Sequence, residues 1–320
     1  MMIERKTFFE VQKSFPDIPF SQTEEWLDSI NNNNICYFVD NVQQPRICCW
    51  GRMYGRKLIG NHLLIDGISL KNDINSKHVR DFFKSIISEG FKLIELSDIN
   101  NYNADFEIGI RRAGFLRPLG STLSPLTLIV NLQSPFSFHR DWRRNVRKAI
   151  EQDIQFEYLP NPTIDQTNTF IRLFNQLKER KNLGFTLTSE GLLKLLSKEH
   201  FKLFFAKTKE DKYLAGRLIY VNKKKAYDIY AANSYESLKN GSVYFLQEKI
   251  FYFLKERGIE LFDYGRIPPG TDSIDDIYVA KSYSGGYPIL YNGQWQYCES
   301  ILFDYLYSFY KHCILKRKRY

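Results

Sequence analysis

Lys281 stands immediately ahead of the turn Ser282–Gly286, a position from which a lysine can reach into a cleft or stay solvated at the surface. Upstream, Asp263 ends the apolar, strand-like run Ile259–Asp263. Open α/β sheets bind ligands beyond the carboxyl ends of their strands, so this carboxylate could orient an amine or accept its proton; capping the next turn would use it equally well. Arg266, three residues on, offers a planar fork to a phosphate or carboxylate, or else makes a surface ion pair. Tyr227 and Tyr230 lie three apart on a strand and so point to opposite faces; Tyr230, on the face of Asp228, is the one assigned to a cleft, with a core aromatic strand as the alternative. Asn240-Gly241-Ser242 precedes a helical pattern, where free N–H groups and the helix dipole suit an anion. Gly241 and Ser242 are therefore donor-phosphate candidates, against ordinary capping by Ser242. Finally Arg140, Arg143, Arg144, Arg147 and Lys148 crowd one short helix, with Arg143 and Arg147 at i, i+4. Such a face meets phosphates, as in RNA backbone recognition, or is answered by acids from the folded protein.

Other chemistries lack their residues. The five histidines are scattered without HxxH or HxxxH spacing, and the five cysteines have no CxxC pair, so no metal site is expected and the thiols read as reduced packing residues. No Ser-His-Asp order, nucleophilic-cysteine context or Walker loop occurs, nor an RxxGxG/A phosphate loop. The 45 basic and 36 acidic side chains leave a net charge of +9, which favours an anionic partner or serves solubility alone. Charges at Glu4, Arg5, Lys6 and Glu10 interrupt any leader-like apolar run, and no stretch of about 18 apolar residues follows, so a cytoplasmic location is expected.

The elements that position these residues form two similar halves. Ser76–Gly90 carries Val79, Phe82, Phe83, Ile86 and Ile87 at helical spacing, stops at Gly90 and feeds the strand-like run Phe91–Leu96. Gly241–Gly258 repeats this with Val243, Phe245, Leu246, Ile250, Phe253 and Leu254, followed by Ile259–Tyr264. A constant offset of 168 aligns Glu89–Glu95 with Arg257–Asp263 and sets the β-rich stretch Ile35–Ile68 against Phe204–Asn233. The spacing predicts a duplicated α/β unit. Ser134-Pro135 and Pro160-Asn161-Pro162 flank the basic helix Asp141–Glu151, which divides the chain into 1–135, a connector 136–162, and 163–320. Thr163–Lys181 reads as an amphipathic helix opening the second unit. Ile301–Tyr320 sets Leu302, Phe303, Leu306, Phe309 and Tyr310 in an apolar band and ends Lys316-Arg317-Lys318-Arg319; it either lies on an anionic membrane surface or packs on the second lobe.

The order from Ala226 to Gly286 (a Tyr-rich strand, Asn240-Gly241-Ser242, a helix, Asp263-Tyr264-Gly265, and a lysine before Tyr283-Ser284-Gly285-Gly286) resembles the second acetyltransferase-like domain of the Fem family. Trp142–Ala149 is similar to that family's basic signature between domains, and Pro19–Trp26 to its opening. The resemblance implies an α/β protein of two tandem acetyltransferase-like (GNAT) domains. Family members pass an amino acid from charged transfer RNA to an amine of a muramyl-peptide precursor of peptidoglycan, with no metal and no cofactor. Lys281 matches the family's catalytic-site lysine, where a fixed cation meets the carbonyl oxygen as it becomes negative; Ala280 stands where members usually carry Phe. On this reading Lys281 and Asp263 act in catalysis. Tyr230, Arg266, Tyr283, Arg143, Arg147 and Lys148 bind substrate, and Gly241 and Ser242 face donor phosphate. Two rival readings use the same fold: an acyl-coenzyme A N-acyltransferase, and a non-catalytic protein that binds precursor or RNA.

Overall fold

The computed structural model describes residues 1–30, 34–56, 60–120, 123–181, 184–267 and 273–314. In chain order these form β1 (Met2–Ile3), α1 (Arg5–Gln12), α2 (Glu24–Ser29), β2 (Ile35–Val39), β3 (Ile47–Arg56), β4 (Gly60–Asp66), β5 (Ser69–Leu70), α3 (Ser76–Ile87), β6 (Leu93–Asn101), α4 (Ala104–Arg112) and β7 (Leu126–Asn131). There follow α5 (Arg140–Glu151), β8 (Gln155–Leu159), α6 (Ile164–Lys181), α7 (Ser189–Leu196), β9 (Phe201–Lys207), β10 (Tyr213–Asn222), β11 (Lys225–Asn233), α8 (Ser237–Asn240), α9 (Ser242–Glu256), β12 (Leu261–Asp263), α10 (Ser273–Ser282), β13 (Tyr287–Cys298) and α11 (Ile301–Phe309). The duplication is visible element by element: β2-β3-β4-α3-β6-α4-β7 is repeated as β9-β10-β11-α9-β12-α10-β13, and Leu93 and Leu261, 168 residues apart, open matching strands.

Local chemistry explains the elements. Asn75 caps α3 by accepting from Lys77 and His78 N–H, Val79, Phe82, Phe83 and Ile86 are buried on one face, and Gly90 takes φ +85° just past the end. In α9 the buried face is Phe245, Leu246, Ile250, Phe251 and Leu254. It packs on α5, whose Trp142, Val146 and Ala149 face inward while Arg143, Arg144, Arg147 and Lys148 stay exposed. A glycine makes that contact fit. Gly241 has φ +77°, and a Cβ there would lie 2.0 Å from the Asn145 carbonyl oxygen.

One mixed sheet runs β1-β2-β3-β4-β6-β13-β7-β12-β11-β10-β9-β8. Its order reads nearly the same from either end, with one exchange at the centre. β7, the last strand of the first copy, pairs with β12 of the second (Asn131 with Leu261, Ile129 with Asp263). β13, the last strand of the second copy, pairs through Tyr291–Cys298 with β6 of the first, and through Tyr287–Leu290 with β7. The connector 136–162 therefore does not separate two closed sheets, because each half is completed by a strand from the other.

Two features depart from the sequence reading. Ahead of Lys281, where the sequence reading assigned no element, the chain forms α10; its stretch Asp275-Asp276-Ile277-Tyr278-Val279-Ala280 has no apolar periodicity to announce a helix. α11 packs not on the second lobe alone but where its strand β13 lies beside β6 of the first: Gln296 Nε2 on β13 donates to Asp304, and on β6 Glu95 Oε2 accepts from Tyr307 hydroxyl at 2.8 Å and Oε1 from Lys311 Nζ at 3.2 Å. The Lys316–Arg319 run lies outside the described residues.

Candidate active site

Lys281 sits on the last turn of α10 and points back under the sheet. Its Nζ donates to the Tyr264 carbonyl at 2.9 Å and lies 5.0 Å from the centre of the Tyr264 ring. Burial pushes the ammonium down to about 8, assisted by the Arg217 charge and opposed by Asp228 and Asp263. Arg217 on β10 and Asp228 on β11 form an ion pair at 2.9 Å with side chains 12% and 4% exposed. Among the described residues, the second oxygen of that carboxylate, Asp228 Oδ1, and the Tyr264 hydroxyl are both buried without a well-formed hydrogen bond, with Ser284 beside the latter. Groups in that state cost stability unless a ligand or water answers them, so Lys281, Asp228 and Tyr264 mark a polar cluster in need of a guest.

Asp263 does not join that cluster as a reactive group. Its side chain has no exposed surface; Oδ1 accepts from Tyr291 hydroxyl (2.6 Å), Thr127 hydroxyl (2.7 Å) and Gly265 N–H (2.9 Å), and Oδ2 lies 3.0 Å from Lys225 Nζ. These partners come from β13, β7 and β11, the strands that meet at the exchange. Oδ2 accepts no hydrogen bond among the described residues and is answered only by the Lys225 charge, while the Gly265 N–H bond is the turn cap weighed from the sequence; with no exposed surface left for an amine, the geometry is that of a buried pin at the strand exchange.

Arg266 reaches across to the first half, where Nη2 donates to Ser97 Oγ at 2.6 Å and to the Asp98 carbonyl at 3.4 Å. Its Nε is buried without a partner among the described residues, and burial lowers its pKa against the pull of Tyr291, Asp66 and Asp98. The surface ion pair considered from sequence is not what forms. Ser97 belongs to the wall of a cavity of about 380 Å³ that also exposes Asp66, His62, Glu95 and Trp295. Burial works against ionisation of Glu95, yet the His62 ring at 3.0 Å, Lys311 and the Tyr307 hydroxyl outweigh it and hold the carboxylate at about 2.

Tyr230 is placed differently from its expectation. A β-bulge shifts the register so that Leu218 faces Tyr230 while Ile219 faces Asp228, leaving Ile229 as the extra residue. The bulge changes the parity, and Tyr227 and Tyr230 share one face while Asp228 takes the other. Tyr230 packs with Trp26 and Phe174 at ring distances of 6.4 and 6.0 Å, where burial pushes its hydroxyl up to about 12. It is a core aromatic away from Lys281.

Tyr283 follows Lys281 out of α10 and stacks on His139 at 4.2 Å, its carbonyl accepting from His139 N–H. His139 is the N-cap of α5, so the Lys281 turn and the basic helix meet here. On that helix Arg143 and Arg147 are exposed and have no acidic partner among the described residues, Arg144 lies 3.3 Å from Asp141, and Lys148 Nζ donates to the Lys239 carbonyl. Gly241 and Ser242 are not open to a phosphate. Ser242 is fully buried and gives both its N–H and its hydroxyl to Asn240 Oδ1, while Gly241 is pressed on Asn145.

Sequence reasoning missed the Arg217–Asp228 pair and the cavity around Glu95. Neither has a local motif: the ion pair depends on the bulged register of the adjacent strands β10 and β11, and the cavity is assembled from strands far apart in the chain. Among the described residues no group of three His, Cys, Asp or Glu side chains is placed to hold a metal ion, and no helix is long and apolar enough to cross a membrane.

No protein-family model and no curated protein matches the sequence. Solved structures do match. FemX aligns with a TM-score of 0.76 at 16% identity, covering 96% of this chain and 99% of that one. L-PGS from Bacillus licheniformis gives 0.66 at 13%, covering 98% and 97%. A tandem GNAT protein from the clavulanic acid biosynthesis pathway gives 0.52 at 8%, covering 91% and 92%. Identities this low carry architecture and not chemistry. Over nearly its whole length, the chain has the tandem acetyltransferase-like fold of the Fem type that FemX has.

Proposed function

We propose that this chain is an aminoacyltransferase that moves an amino acid from aminoacyl-tRNA onto an amine of a peptidoglycan precursor. The observation that carries the reading is Lys281: a lysine held beside two unsatisfied buried polar groups, one turn away from an exposed arginine face. In the reaction the acceptor nitrogen attacks the ester carbonyl carbon of the donor. The C–N bond forms, the C–O bond to the ribose breaks, and the proton lost by the amine ends on the ribose oxygen. Negative charge gathers meanwhile on the carbonyl oxygen, and on this reading the Lys281 ammonium offsets it, an effect of about 3 kcal/mol for one well-aimed donor. Arg143 and Arg147 supply contact with the transfer RNA backbone. Full-length likeness to FemX supports the fold on which this reading rests, and the acceptor class follows from the Fem-like order of motifs between Ala226 and Gly286. The acyl-coenzyme A reading loses ground at α9, whose N-terminus is closed by Asn240 and by Asn145 where a cofactor pyrophosphate would need free N–H groups.

The test is mass spectrometry of products after the protein is incubated with pooled charged transfer RNAs and muramyl-peptide precursors, and separately with acyl-coenzyme A. Amide product from the charged RNA alone, lost in Lys281→Met, is the expected result. Product only from acyl-coenzyme A, or unchanged turnover in the variant, overturns the proposal.

A further inference from the structure

α11 is amphipathic in the reverse sense to an ordinary surface helix. Its polar side is turned inward: Tyr307 and Lys311, just beyond the helix, hold Glu95; Gln296 Nε2 donates to Asp304; and Ser308 Oγ donates to the Leu119 carbonyl at 2.9 Å. Its apolar side is turned outward, with Ile301, Leu302, Tyr305, Leu306 and Phe309 each 58–75% exposed. Leu119, whose carbonyl accepts from Ser308, is exposed beside it. A contiguous exposed apolar surface of this kind on a water-facing protein marks a place that something else covers.

Two observations identify the cover. The inward polar contacts fix the helix in this orientation, since turning it over would bury Ile301 and Leu306 against Glu95 and strand the Lys311 ammonium away from its carboxylate. The chain then continues directly into Lys316-Arg317-Lys318-Arg319, in a protein of net charge +9. Apolar side chains on an exposed helix, in a chain whose sequence goes on to four consecutive cations, match the two layers of an anionic lipid surface: acyl-chain boundary for the former, phosphate headgroups for the latter. A second copy of the chain would instead bring two such cationic runs together. We infer that α11 and the basic run after it dock this protein on anionic phospholipid bilayers, with the helix lying in the plane of the interface. The inference is independent of the proposed transfer reaction.

The experiment is flotation of the full chain with vesicles of phosphatidylcholine alone or with about one-third phosphatidylglycerol, with sedimentation velocity in parallel. Binding to the anionic vesicles is expected, falling steeply with salt. Leu302→Ser/Leu306→Ser/Phe309→Ser should weaken it at least tenfold with an unchanged melting temperature, because these side chains already face solvent. Lys316→Glu/Arg317→Glu should weaken it further on anionic vesicles, about fivefold or more for each cation removed. Absence of binding by the native protein, or binding unaffected by both variants, overturns the inference. So does a dimer dissolved by the triple variant in a protein that ignores vesicles, since a second copy would then be the cover.

Discussion

Replacing Lys281 by methionine separates the stability of the site from its chemistry. Burial lowers the Lys281 ammonium from an ordinary 10.5 to about 8, so the native protein bears a charging cost of about 3 kcal/mol wherever both folded and unfolded chains hold the proton. Methionine removes that cost and also the 2.9 Å bond to the Tyr264 carbonyl, whose loss costs about 1–2 kcal/mol. The variant should therefore be about 1–2 kcal/mol more stable at pH 7 while transfer falls about 10²-fold or more. The pH dependence has a definite sign. Below about 8 the penalty is present in full; between about 8 and 10.5 only the unfolded lysine keeps its proton, so the native protein gains stability as pH rises. The gap between variant and native should narrow by about 2 kcal/mol from pH 7 to pH 9.5. Urea unfolding at both pH values, with product formation measured on the same preparations, reads all three quantities. A variant less stable at pH 7, or a gap unchanged at pH 9.5, refutes the burial argument; unimpaired transfer refutes the role of the charge.

Asp263→Asn should lower stability by about 3 kcal/mol in urea unfolding, by stranding Lys225 at the strand exchange, while turnover per folded molecule stays within about twofold. Gly241→Ala combines a left-handed backbone with a Cβ on the Asn145 carbonyl and should cost about 2–4 kcal/mol, read as a lowered urea midpoint. Arg143→Glu/Arg147→Glu should leave the melting temperature within about 1 °C but weaken transfer-RNA binding and reduce its logarithmic salt slope by about 2, measured by filter binding between 50 and 200 mM salt. Glu95, held at about 2, contributes stability that is fully present above 4.5 and is lost as pH falls toward 2; Glu95→Gln should flatten that acid limb in a thermal-unfolding series from pH 6 to pH 3.

The parts legible from sequence share a cause. The helices α3, α5, α6 and α9 were readable because an apolar face recurs every three or four residues. The duplication was readable because both copies solve the same burial problem in the same order at an offset of 168. Lys281, Arg143 and Arg147 were identified by motif and composition, and the structure sets the lysine turn and the arginine helix side by side through Tyr283 and His139. Tyr230 was misplaced because period-2 alternation has no knowledge of the bulge at Ile229, which depends on how β10 and β11 pair. Asp263 was read as reactive from its place at a strand end, and nothing local could reveal that the strands arriving beside it are β7 and β13.

The sequence by itself therefore determined the two-copy α/β plan and the basic helix between the copies, which follow from local periodicity and residue chemistry, while Lys281 stood out through the order of motifs that resembles the Fem family. Only the tertiary structure decided which carboxylates are pins and which face a site, that the two copies trade their last strands, and that α11 shows its apolar side to solvent. Those outcomes rest on non-local pairing: the exchange brings Thr127, Lys225 and Tyr291 onto Asp263, and Glu95 draws Tyr307 and Lys311 inward, so that the hydrophobic face of the last helix is left for another surface to cover.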